Sequence, residues 1–324
     1  MVESRPSRYT VRDHGLSEVS RRGKGEPLRV RVLSPEAAPG KRPVIIFSHG
    51  LGGRPRRLLG WAQQWASLGF ICFLPRHRDG VGPLSRERAL GHEKSSPESF
   101  GRPAIRQALA SDGAAFESRV RAVRDLMDAL EDGLGADCDW GAAETRAIGL
   151  AGHSIGAYAA QILAGTRVQW GNDSALASHR DKRVRAVLLF SPQGAGRLGL
   201  CSDSWTDLTC PMMSVTGAED RGAGGEAADW RRQPFELAGS SFKYQVTLPA
   251  ADHFAILGRH AAGGRVNPGH ETLLQGLTGL FWQAHLLGDI AAKTALETGR
   301  FQAESGGAGL NFEVGHEQGP LSSQ

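Results

Sequence analysis

Ser154 stands in Gly152-His153-Ser154-Ile155-Gly156, a G-x-S-x-G pentapeptide. An apolar run, Ala147 to Ala151, precedes it, and a small-residue run, Ala157 to Leu163, follows. Strand before and helix after make this a sharp strand-to-helix turn that lifts the serine hydroxyl above the sheet edge. The dipole of the following helix favours negative charge developing beside that hydroxyl. A serine is a weak nucleophile until a base takes its proton, and that base needs an acid to fix its tautomer. His253, in Asp252-His253-Phe254 after the strand-like run Phe242 to Leu248, can be the base. Asp220, presented by Gly217 after the run Pro211 to Val215, can be the acid. Glu219, Asp203 and Asp207 compete for that role, whereas Asp252 adjoins His253 and must point elsewhere.

Acyl transfer also builds an oxyanion that needs two backbone N–H donors. Ile155, next after the serine, supplies one. The apolar run Pro43 to Phe47 ends in Ser48-His49-Gly50-Leu51-Gly52-Gly53, whose glycines let the chain bring the Leu51 N–H close to a reacting carbonyl. Three further side chains are candidates for substrate binding. His77 leaves the strand-like run Phe70 to Leu74, Gln193 sits in Ser191-Pro192-Gln193-Gly194, and His153 precedes the nucleophile. His49 and His153 also suit packing and hydrogen bonding within their loops. His260, His270 and His285 read as surface or core residues of the C-terminal region.

The elements that must position these groups alternate between strand and helix. That pattern predicts an α/β protein with a mostly parallel central sheet flanked by helices. Helices are expected over Leu58 to Leu68, Phe116 to Glu131 and Glu271 to Leu287, each with an apolar face. Residues 1–26 read as an extension with a strand at Tyr9 to Asp13. Residues 27–295 read as a single domain with insertions at about 76–114 and 166–182 over the active-site face, where substrate choice would be made. Residues 296–324, rich in Gly, Ser and Glu, read as a flexible tail.

Composition narrows the function classes. The 324 residues are 40% apolar and 22% charged, as in a soluble globular protein. A net charge of +4, scattered along the chain, is too weak to argue for nucleic acid. No apolar run approaches the ~20 residues of a membrane span, and the N-terminus lacks a secretory core, so a cytoplasmic protein is expected. Among four cysteines, Cys201 and Cys210 are close enough in sequence to pair, but free thiols are the expectation. No C-x-x-C or H-E-x-x-H spacing marks a metal site, and no cofactor is expected. The expected partner is a small-molecule ester; the oligomeric state is open.

Taken together, SHGLGG (48–53), GFICFLPRH (69–77), RVRAVRDLMDAL (119–130), GHSIG (152–156), SPQG (191–194), VTGAED (215–220) and ADHF (251–254) resemble the α/β-hydrolase superfamily. The resemblance is to the group holding dienelactone hydrolases, platelet-activating-factor acetylhydrolases and cutinase-like polyester hydrolases. The order Ser154, Asp220, His253 is also the triad order of that fold. The resemblance implies a cofactor-free Ser–His–Asp ester hydrolase with Leu51 and Ile155 as oxyanion donors. Ser154 stands where dienelactone hydrolases proper carry cysteine. A thioesterase, a phospholipid-type acetylhydrolase or a polyester hydrolase could use the same triad. A non-catalytic binder on a hydrolase scaffold is the reading from a different class.

Overall fold

Continuous apolar runs can be buried on both faces only if helices cover both sides of the sheet. In a computed structural model, which describes residues 9–20, 27–77, 116–133, 143–171, 175–258, 268–299 and 310–315, that is the arrangement. β1 (Val11–Val19), β2 (Leu28–Pro35), β3 (Arg42–Ser48), β4 (Ile71–Arg76), β5 (Ala143–His153), β6 (Val184–Phe190), β7 (Met212–Gly217), β8 (Lys243–Leu248) and β9 (Asn311–Gly315) form one sheet. The strand order is β1-β2-β4-β3-β5-β6-β7-β8-β9. The six central strands, β4 through β8 in that order, are parallel. β2 runs antiparallel to β4 and β1 to β2, while β9 runs antiparallel to β8. This is the α/β fold expected from the sequence.

Alternation within β3 shows how the strands divide the core. Val44 and Ile46 face one side, beneath α2 (Glu117–Glu131) and α3 (Ile155–Ala164). Ile45 and Phe47 face the other, beneath α1 (Leu59–Ser67) and α5 (Pro268–Leu286). On that second face Trp65, Phe281 and Trp282 are fully buried, and the Trp65 indole N–H donates to Thr278 Oγ1 at 3.1 Å. α4 (Gln233–Leu237) and α6 (Ile290–Glu297) are short; the latter is capped by Asp289, whose side chain accepts from the Ala292 N–H at 3.0 Å.

Two differences from the expected elements have physical causes. β1 runs to Val19, beyond the expected Asp13, because an irregularity between Asp13 and Leu16 lets pairing with β2 continue. β9 lies where a flexible tail was expected. Its Phe312 is 7% exposed and stacks on Tyr244 with centroids 5.9 Å apart, and Glu313 takes both forks of Arg232.

The expected insertion at 76–114 falls, from residue 78, outside the described residues. The described part of 166–182 packs against α3 instead of lining a cleft. Trp170 donates to Tyr158 Oη at 2.9 Å, and Arg167 donates to Thr206 Oγ1 at 2.7 Å. Cys72, Cys201 and Cys210 are free thiols.

Candidate active site

Parallel strands place their exits along one sheet edge, and that edge gathers the predicted residues. β5 ends at His153, and Ser154 follows with φ 55 and ψ −120 before α3 begins at Ile155. That conformation is strained for any residue with a Cβ, and it matches the sharp strand-to-helix turn expected there. The flanking glycines are required by close approach. A Cβ at Gly156 would lie 2.0 Å from the Ser48 carbonyl oxygen, and one at Gly152 would lie 2.1 Å from that of Gly156. As the first residue of α3, Ile155 has no acceptor for its N–H within the helix.

β7 ends at Gly217, and a turn closed by the Asp220 N–H donating to the Gly217 carbonyl at 3.1 Å sets Asp220. The loop after β8 carries His253. Its Nδ1–H donates to Asp220 Oδ1 at 2.9 Å, which leaves Nε2 to receive a proton. Asp220 is fully buried, while Glu219, the neighbouring alternative, is exposed. Burial alone would raise the Asp220 carboxyl; Arg231, His253 and Ser191 outweigh it and hold it at about 2.

His153 adjoins both Ser154 and His253. Its Nε2–H donates to the His253 carbonyl at 2.9 Å, and the two rings are 4.8 Å apart. Burial, reinforced by His253, lowers His153 to about 3 and keeps it neutral. Its Nδ1 would be 2.9 Å from a Cβ at Gly50, so a glycine there lets the Leu51 loop close over it.

The Leu51 loop is held from below. His49 Nδ1–H donates to the Gly50 carbonyl at 2.8 Å, and His49 Nε2 accepts from the His77 N–H at 3.2 Å. Arg119 of α2 donates to the carbonyls of His49 and Gly50. His77 does not line the cleft. It is buried behind the loop, with Nε2 2.8 Å from Ser48 Oγ, so it supports the loop and does not reach toward a ligand.

Leu51, His153, Ser154, Ile155, Gln193 and His253 all line one cleft of about 960 Å³. Gln193 is 4% exposed, and its Oε1 has no hydrogen-bond partner among the described residues. Two buried arginines were missed by sequence reasoning. Arg119 grips the Leu51 loop. Arg231, 4% exposed, places Nε 2.6 Å from Asp220 Oδ1 and donates Nη1 to the Ser191 and Pro192 carbonyls at 2.9 Å each. Neither stands out from a chain with 38 basic residues, and only the fold reveals them. Among the described residues, no group of three His, Cys, Asp or Glu side chains could hold a metal ion. No helix there is long and apolar enough to cross a membrane.

The mostly parallel sheet flanked by helices is an α/β fold, and it is consistent with that of α/β-hydrolases. Residues 28–97 match the family of platelet-activating factor acetylhydrolase, isoform II. The matched stretch holds β2 through β4 and the Leu51 loop, and stops short of Ser154, Asp220 and His253. No curated protein matches the chain.

Proposed function

We propose that the protein is a serine hydrolase that cleaves carboxylic esters through an acyl-enzyme. The observation that carries this reading is a single cleft shared by a strained elbow serine and a histidine whose other nitrogen is bonded to a buried carboxylate. Ser154 Oγ attacks the ester carbonyl while His253 Nε2 takes its proton. Leu51 and Ile155 N–H groups hold the oxyanion. His253 returns the proton to the departing alkoxide, and Asp220 stabilises the imidazolium between the two transfers. Water then attacks the acyl-enzyme by the same route and releases the acid and free Ser154. Each oxyanion donor is worth about 10²–10³ in rate. The chemistry calls for no metal or organic cofactor.

The match to an acetylhydrolase family favours a short acyl group within this reading. The same triad could serve a thioester or a polymer ester, and relative rates on matched esters, thioesters and amides separate these. Labelling by a fluorophosphonate, wild type beside Ser154→Ala, tests the nucleophile. Stoichiometric labelling that vanishes in the variant is expected, with a p-nitrophenyl ester series then sizing the acyl pocket. A folded wild type that takes no label would point to the non-catalytic binder instead.

A further inference from the structure

The Gly50–Leu51 peptide carries one of the two N–H groups that the hydrolase reading gives to the oxyanion. At the other end of that peptide the Gly50 carbonyl takes three donors: His49 Nδ1–H at 2.8 Å, the Gly53 N–H at 3.0 Å and Arg119 Nη2 at 3.2 Å. No described peptide bond is cis, so the Leu51 N–H points opposite that carbonyl, away from Arg119. Among the described residues nothing accepts from it, and Leu51 lines the cleft. Whatever fixes the direction of the Gly50 carbonyl therefore fixes the direction of the Leu51 N–H.

Of the three donors, His49 and Gly53 belong to the loop and move with it. A loop built on Gly50, Gly52 and Gly53 has little stiffness of its own. Arg119 stands outside it on α2, 3% exposed, and its fork spans two successive carbonyls, Nη1 to His49 and Nη2 to Gly50. Burying a guanidinium costs desolvation, and packing alone could hold a loop in place without it. What the guanidinium adds is direction and charge. A cation bonded to a carbonyl draws electron density through the amide, so the N–H at the far end becomes a stronger donor. Burial keeps water from screening that charge.

We infer that Arg119 is a positioning residue for the reaction: through the Gly50 carbonyl it aims and polarises the Leu51 N–H at the developing oxyanion. This rests on the hydrolase reading and gives α2 a part in the chemistry from behind the cleft, since Arg119 is not among the residues that line it. The contact matters to a tetrahedral oxyanion more than to the ester that precedes it, so its loss falls on kcat and not on KM. Removing an oxyanion donor outright costs about 10²–10³ in rate, so a donor left in place but misaimed should cost about ten- to a hundred-fold.

The test compares wild type with Arg119→Lys and Arg119→Met, each checked for folding by its thermal midpoint and by fluorophosphonate labelling carried to completion. Lysine keeps the charge and one donor but cannot span both carbonyls, and methionine keeps only the apolar stem. On p-nitrophenyl acetate kcat should fall about ten-fold in the first and about a hundred-fold in the second, with KM within about two-fold of wild type. The second readout is the inhibition constant of hexyl trifluoromethyl ketone. Ser154 Oγ adds to its carbonyl carbon, the serine proton passes to His253, and the carbonyl oxygen becomes an anion with no group leaving. Its affinity should weaken by the same factor as kcat/KM in each variant, a correspondence that a general loosening of the fold does not produce. If Arg119→Met does not fold, Arg119→Lys decides. A folded Arg119→Lys with kcat unchanged, or with kcat lowered and ketone affinity unchanged, would overturn the inference while leaving the hydrolase reading standing. A folded wild type that neither takes label nor binds the ketone would overturn the hydrolase reading itself, and this role with it.

Discussion

Asp220 faces two nitrogen-bearing side chains, and only one of them was readable from the chain. On the proposed mechanism His253 is the proton-transfer partner, whereas Arg231 ties the carboxylate to the Ser191–Pro192 turn. Replacing it by methionine leaves a buried carboxylate without its guanidinium partner. Arg231→Met should lower stability by about 3 kcal/mol or more, read as a fall in thermal midpoint. On the hydrolase reading it should also lower kcat with KM little changed, because the carboxylate that orients His253 is no longer held to the Ser191–Pro192 turn. A lowered midpoint with kcat unchanged would reduce Arg231 to a purely structural role. Sequence could not separate Arg231 from Arg232. They are adjacent and identical in type, yet one is buried under the site and the other pairs with Glu313 at the surface. The placing of Ser154 and His253 at one sheet edge was legible because each follows an apolar run that reads as a strand.

At the level of elements, legibility followed burial. β3 and β5 are apolar on both faces and stand out as continuous runs, so the loops that leave them were placed from sequence. β9 is five residues set in a stretch dominated by Gly, Ser and Glu, and its alternation is too short to register against that background. Its contribution is nonetheless concrete. Phe312 covers Tyr244 on β8, the strand whose exit leads to His253. Phe312→Ala should cost about 3 kcal/mol, the usual range for a large aromatic lost from a packed site. Chemical denaturation of variant and wild type checks it; an unchanged midpoint would mean that β9 is not docked on β8 in solution.

The whole molecule inherits an acid sensitivity from the support beneath the site. Burial lowers His49 to about 3, with Arg119 adding to it, lowers His153 to about 3, and lowers His77 well below its usual value. An unfolded chain takes up these protons near pH 6.5, while the folded chain refuses those of His49 and His153 until about pH 3 and that of His77 until well below 6.5. The stability they confer is therefore complete above about pH 6.5 and lost as pH falls toward 3. The slope is about 1.4 kcal/mol per pH unit for each histidine. Asp220, held at about 2, adds a further loss only below about pH 4. Thermal midpoints measured from pH 7.5 to 5 should fall steadily before any carboxylate titrates. A flat profile to pH 5 would mean that the loop histidines are solvated or already charged.

The backbone at Ser154 also shapes how this chain can change over time. A residue with a Cβ at φ 55 and ψ −120 costs of order 1–3 kcal/mol, a cost glycine would largely escape. At position 154, natural selection for robustness and selection for turnover therefore pull in opposite directions. On the hydrolase reading, a lineage released from the need to turn over its substrate has a downhill path to glycine there, and pseudoenzymes of this design are its thermodynamically favoured descendants.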